Sequence, residues 1–257
     1  MKIYFLGTCS GTEPVPGRKH TAFAVESNDR LYWFDAGEGC SYTAHLMGLD
    51  LLKVKKIVIS HPHMDHVGGL GNLFWNIKKL CWVRKSTTCY GDVDLYIPLL
   101  KTWEGVRTIL EQTEDNFRTN FGINVTRVED GVLFDDGIVK VTAYHNYHLR
   151  EYNAAPWRSF TYRIECEGKT VVYSGDVASC DDLNGAVGDG CDALIMETGH
   201  HKIVDIHSYW QTRKIGTVYF NHCGREILDD PEGAVVKLKN LFGCHAVLCE
   251  DTMTVEI

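Results

Sequence analysis

The stretch His61-Pro62-His63-Met64-Asp65-His66 gathers three imidazoles and a carboxylate, directly after the apolar β-branched run Ile57-Val58-Ile59. Imidazole nitrogens and carboxylate oxygens are natural ligands of a borderline divalent cation such as zinc, with manganese and iron as alternatives. The spacing has a mechanical logic. In extended backbone, residues i and i+2 point to one side, so His61 and His63 can grip one ion together. A turn into a helix then aims Asp65 and His66 the other way, at a second ion. Gly68-Gly69 allows that first helical turn to pack close against the strand ends.

Such a motif needs a strand before it, a helix after it, and partners from elsewhere in the chain. The apolar patterning supplies two comparable halves, each a sheet with helices outside. Strands are expected near 2–6, 21–26, 31–35 and 57–60, with helices near 40–48 and 66–80. In the second half, strands are expected near 138–143, 160–166, 170–174, 193–197 and 217–220, with helices near 205–214 and 231–242. Asp230-Pro231-Glu232 suits the start of the last helix. The segment 86–137 is the least regular; Leu95 to Leu110 reads as an apolar helical stretch, and Asp135-Asp136-Gly137 as a turn. No linker or repeat divides the chain, so residues 1–257 are expected to form one domain.

Composition narrows the function classes. No apolar run reaches membrane-spanning length, and no signal-peptide pattern opens the chain, which points to the cytoplasm. The ten cysteines are scattered without a CxxC pair and read as small buried hydrophobes of a reducing compartment. The net charge of −8 argues against a broad nucleic-acid-binding face. Local clusters do occur, at Lys53, Lys55 and Lys56 and at Lys78, Lys79, Arg84 and Lys85, and they read as solvated helix edges. Trp75, Trp82, Trp103, Trp157, Tyr147 and Tyr152 offer rings for packing or for stacking on a substrate.

Further segments, in order along the chain, resemble the tRNase Z-like branch of the metallo-β-lactamase superfamily. They are Ile3-Tyr4-Phe5-Leu6-Gly7-Thr8, Trp33-Phe34-Asp35-Ala36-Gly37-Glu38-Gly39, the histidine motif, Val172-Tyr173-Ser174-Gly175-Asp176, Leu194-Ile195-Met196-Glu197-Thr198, His207-Ser208, and Tyr219-Phe220-Asn221-His222. The resemblance implies an α/β fold: an αββα sandwich of two mixed sheets with outer helices. Within it, His148 fits the family's third-ligand position in Val141-Thr142-Ala143-Tyr144-His145-Asn146-Tyr147-His148, with His145 as the rival.

The implied site holds two divalent ions. His61, His63 and His148 take the first; Asp65, His66 and His222 take the second. Asp176 and a water or hydroxide bridge them, and the hydroxide is the nucleophile. By the same resemblance, His207 and Glu197 form the pair that protonates the leaving alkoxide, with Asp65 completing the catalytic set. His200 and His201 compete for the donor role. Met196 departs from the family's histidine at its position, and the chain from His148 to Tyr162 is too short for the Gly/Pro-rich tRNA-gripping arm. The expected function is therefore a dinuclear metal-dependent hydrolase, a phosphodiesterase acting on a small-molecule, nucleotide or single-stranded substrate. The alternatives are tRNA 3′-end processing, hydrolysis of a carboxylic or sulfate ester, and a non-catalytic metal-binding sensor. A homodimer is compatible with the sequence; a membrane role is not expected.

Overall fold

Along the first three strands, β1 (Lys2–Gly7), β2 (Ala22–Ser27) and β3 (Arg30–Phe34), apolar residues alternate between two cores. Ile3, Phe5, Phe23, Val25, Tyr32 and Phe34 face one core, while Leu6, Ala22, Ala24, Leu31 and Trp33 face another. Both faces of the sheet are thus buried, as the period of two demands when helices cover one side and a second sheet the other. In this computed structural model, which describes residues 1–84, 91–152 and 154–257, the chain continues as α1 (Cys40–Leu46), β4 (Val54–Val58), α2 (Met64–Val67) and α3 (Leu70–Val83). Next come β5 (Val93–Ile97), α4 (Leu100–Glu111), β6 (Ile123–Arg127), β7 (Gly131–Asp135) and β8 (Val139–His145). The rest comprises β9 (Phe160–Cys166), β10 (Lys169–Tyr173), α5 (Asn184–Val187), β11 (Cys191–Glu197), α6 (Ile203–Trp210), β12 (Ile215–Asn221), α7 (Arg225–Leu228), α8 (Pro231–Phe242), β13 (Ala246–Leu248) and β14 (Thr254–Glu256).

Two seven-stranded sheets result, in the orders β14-β1-β2-β3-β4-β5-β6 and β13-β12-β11-β10-β9-β8-β7. Both mix parallel and antiparallel pairs. One core lies between the sheets; helices α1, α3 and α4 close the first outer face, and α6 and α8 the second. This is the αββα sandwich. Gly69 shows how tightly the first face closes on the motif: its N–H donates to Ala36 O at 2.7 Å, and a Cβ there would lie 2.2 Å from Gly37 O.

The segment 86–137 departs from the expectation. Val93–Ile97 is a strand and the helix begins only at Leu100, so the apolar run from Leu95 is split. Pro98 explains the break, since it disfavours helical backbone at Ile97. β6 and β7, which the sequence reading omitted, follow in the same segment. Among the described residues eight cysteines carry free thiols, whereas Cys81 on α3 is disulfide-bonded, against its reading as a reduced hydrophobe. Lys53, Lys56, Lys79 and Arg84 pair with Asp29, Asp94, Glu114 and Asp50. Lys85 and the side chain of Tyr152 lie outside the described residues.

Candidate metal centre

The site residues leave the C-terminal ends of β4, β8, β10, β11 and β12, which meet along one edge of the sandwich. After β4 the chain stays extended through His63 (φ −65°, ψ 150°) before α2 begins. The rings of His61 and His63 therefore come to 4.6 Å of one another, and His148, from the loop after β8, stands 4.8 Å from His61 and 5.1 Å from His63. Two turns carry the opposite side: Asp65 and His66 on α2, and His222 immediately after β12. Gly175 reaches a left-handed φ of +57°, where a Cβ would lie 2.7 Å from Phe160 O; this turn delivers Asp176 to the centre.

Among the described residues three clusters form, each with its ligand atoms within 4.8 Å of one another: Glu197/His200/His222, His61/His63/His148/Asp176 and Asp65/His66/His222/Asp176, and the last two form the centre. Asp176 is common to these last two. Its Oδ2 lies 3.6 Å from His61 Nε2 and 3.7 Å from His148 Nε2; its Oδ1 lies 3.4 Å from His66 Nε2 and 3.3 Å from His222 Nε2. Asp65 Oδ2 lies 3.0 Å from His222 Nε2 and 3.3 Å from His66 Nε2.

The donor set fits divalent cations. His61 Nε2, His66 Nε2 and Asp176 Oδ1 are buried without a hydrogen-bond partner among the described residues, a costly arrangement unless a cation satisfies them. His148 Nε2 and His63 Nδ1, two ring nitrogens, face each other at 3.3 Å. For the first cluster the electrostatics agree. Burial, together with the neighbouring His66, drives the His61 imidazole well below its ordinary value, and burial brings His148 to about 4, so both stay neutral as ligands must. Burial opposes the charge on Asp65, yet the hydrogen bond with His222 and the nearby His66 imidazole hold its carboxyl well below the usual range.

Behind His66 stands a residue that sequence reasoning left without a role. Asp35, fully buried at the end of β3 with φ +54°, accepts from Ser60 N–H (2.6 Å), Ser60 Oγ (2.7 Å), Tyr173 Oη (2.5 Å) and His66 Nδ1 (2.7 Å). A carboxylate on Nδ1 keeps the proton there and turns the Nε2 lone pair toward the centre.

The expected partnership of Glu197 with His207 is not what the structure brings together. α6 begins at Ile203, so His207 sits in its second turn, with its ring 5.0 Å from Phe242 and 5.9 Å from Trp210. Glu197 instead receives His200: Oε2 accepts the His200 N–H at 2.9 Å, and Oε1 lies 3.2 Å from Nδ1. The tight turn between β11 and α6 folds His200 back over the cluster, 3.7 Å from Asp176 and with its ring 4.8 Å from His148. The Glu197 hydrogen bond pushes this imidazole up to about 9 against the effect of burial. His201 Nε2 meets Val177 O at 3.0 Å and lies 3.5 Å from the same Glu197 Oε1. His145 also points elsewhere, with Nδ1 2.7 Å from Asp130 and its ring stacked on Trp157.

Comparison with known proteins bears on the family and the fold. The family model described as Anti-Pycsar protein Apyc1 matches residues 1–212. Ribonuclease BN from Cronobacter sakazakii is 33% identical over 174 residues, which is 66% of this chain and 51% of that protein. The chain thus spans about half the length of the curated relatives it matches. Human tRNase Z, short form, shares the fold with a TM-score of 0.73 at 20% identity, covering 100% of this chain and 99% of that one. A diphosphatase from the PhnP family gives 0.70 at 18% identity, covering 100% and 97%.

Proposed function

The chain belongs to the Anti-Pycsar protein Apyc1 family, in the tRNase Z-like branch of the metallo-β-lactamase superfamily, and on that premise we propose that it is a dinuclear metal-dependent hydrolase, a phosphodiesterase of small or single-stranded substrates. One observation carries this reading: two ligand clusters share the buried Asp176. His61, His63 and His148 would hold one ion and Asp65, His66 and His222 the other. Two divalent cations, zinc first and manganese or iron as alternatives, would supply a lowered pKa for the attacking water and stabilisation of phosphoryl charge. Asp35, on Nδ1, orients the His66 imidazole. Glu197 holds the Nδ1 side of His200, so the proton offered to the leaving oxygen is the one on Nε2; this gives His200 the donor role expected of His207.

The test pairs elemental analysis of protein purified without chelator with turnover of bis-aryl phosphate, cyclic nucleotides, aryl sulfate and lactones. About two equivalents of metal and preference for phosphodiesters are expected. One equivalent, or faster turnover of the sulfate or lactone, overturns the reading. The likeness to Ribonuclease BN favours a second reading, tRNA 3′-end processing. The net charge of −8 and the acidic partners of several clustered basic residues weigh against it. Cleavage of a precursor tRNA trailer that survives moderate salt would restore it, because weak backbone attraction is lost steeply as salt rises.

A further inference from the structure

Of the candidate ligands, His222 alone has a left-handed backbone, φ +48°. A residue with a Cβ keeps that conformation only where its surroundings enforce it. Here the turn takes the chain off the end of β12 and brings the imidazole to the centre. The enforcement comes from the other sheet. Past β1 the segment 8–10 crosses to Cys223, the residue after His222. Thr8 O accepts the Cys223 N–H at 2.7 Å, and Cys223 O accepts from Ser10 N–H at 3.2 Å and from Ser10 Oγ at 2.8 Å. On the other side of the turn, Thr198 N–H donates to His222 O at 3.3 Å. Thr8 is pinned in its turn: Oγ1 donates to Asp251 Oδ1 at 2.8 Å and accepts from Arg18 Nη1 at 2.7 Å. Arg18 Nη1 also reaches Cys249 O at 3.1 Å. Ser10 itself is buried. The next residue backs onto a second ligand of the same ion, since a Cβ on Gly11 would lie 3.0 Å from Asp65 Cγ and Oδ2.

We propose that the segment 8–11 is a latch on the Asp65–His222 side of the centre, in which Ser10 is a positioning residue whose hydroxyl keeps His222 in its left-handed turn and so raises the affinity of the ion on that side alone. The proposal rests on the two-ion reading above. Ordering a ligand before the ion arrives removes a cost that binding would otherwise carry. His61, His63 and His148 are carried by other elements, β4 and the loop after β8, so weakening the latch should not reach their ion.

The test follows Ser10→Ala and Gly11→Ala by two measurements. Amide hydrogen exchange in the metal-free protein reads the latch itself. Zinc competition against a chromophoric chelator reads its consequence, with nitrogen-15 shifts of the His61 and His222 rings telling the ions apart. Ser10→Ala should speed exchange at Cys223 N–H by about 2–10-fold, the span of one lost hydrogen bond, and weaken the His222-side ion by a similar factor, while the His61-side ion stays within roughly twofold. Gly11→Ala keeps the hydroxyl but crowds Asp65, and should weaken the same ion without the change in exchange. Unchanged exchange at Cys223 in Ser10→Ala, or faster exchange with both affinities intact, overturns the latch. Equal weakening of both ions by Ser10→Ala makes the residue structural and overturns it as well. A single ion held by the unsubstituted protein would bring down the two-ion reading. The latch falls with it if that ion sits on His61, and stands if the ion sits on His222 and still weakens in Ser10→Ala.

Discussion

Replacing Asp35 with asparagine tests how the centre is held from behind. In the native protein one carboxylate receives four donors, and His66 Nδ1–H is among them. Asparagine keeps an acceptor for Ser60 N–H but turns an NH₂ group toward the other three. The Ser60 and Tyr173 hydroxyls can rotate and accept. His66 can answer only by accepting at Nδ1, which moves its proton to Nε2, the atom aimed at Asp65 and Asp176. A protonated Nε2 cannot ligate. Loss of a carboxylate behind a ligating imidazole typically costs 10–100-fold in metal affinity, or about 1.4–2.7 kcal/mol. Asp35→Ala removes every acceptor. Ser60 N–H then loses its acceptor and His66 Nδ1–H keeps only Ser60 Oγ at 3.3 Å, so at about 1–3 kcal/mol each the fold loses up to about 2–6 kcal/mol. Metal content after dialysis against graded chelator reads the first effect, and urea unfolding of the metal-free protein reads the second. Asp35→Asn should lose the ion on the His66 side while the other is retained. Wild-type affinity for both ions, with the His66 proton still on Nδ1 by nitrogen-15 spectroscopy, would refute the tautomer argument.

Three further outcomes are expected. His200→Ala should slow an alkyl or nucleotide diester by about 10²–10⁴-fold while sparing a nitrophenyl diester, whose leaving group needs no proton, and Glu197→Gln should give the same selectivity more weakly. His207→Ala should leave that selectivity unchanged; a leaving-group effect there would return the donor role to His207. His148→Ala should lose one metal equivalent, whereas His145→Ala should retain both, and equal losses would contradict the ligand assignment. Gly69→Ala should destabilise the fold by about 1–3 kcal/mol in urea melts, because its Cβ would meet Gly37 O at 2.2 Å; an unchanged midpoint would show that the first turn of α3 yields freely.

What could be read in the chain follows the range of the interactions. His61, His63, Asp65 and His66 were legible because strand, turn and helix place them within a few residues, so local geometry alone aims them. Asp176 and His222 each follow an apolar strand, but it was the ordered resemblance of their segments to the family that marked them, since a lone histidine after a strand is more often structural. Asp35 was harder. Its segment was visible, but its role depends on Ser60 from β4 and Tyr173 from β10, and no spacing along the chain reports a meeting of three strands. The expected pairing of Glu197 with His207 departs from the structure for a different reason. A Glu–His pairing at distance ten is equally compatible with a helix that starts at once or one that starts late. Here Lys202 caps a helix beginning at Ile203, which carries His207 to Phe242 and leaves a tight turn for His200 to fold back upon Glu197. The adjacent pair His200-His201 held a usable signal, since neighbours in a turn point apart and one of them must face the centre. In the segment 86–137 the overlooked signal was Pro98, which ends β5 and delays α4. Each miss therefore traces to where an element begins, and each correction moved a side chain by a turn of backbone without altering the two clusters that share Asp176.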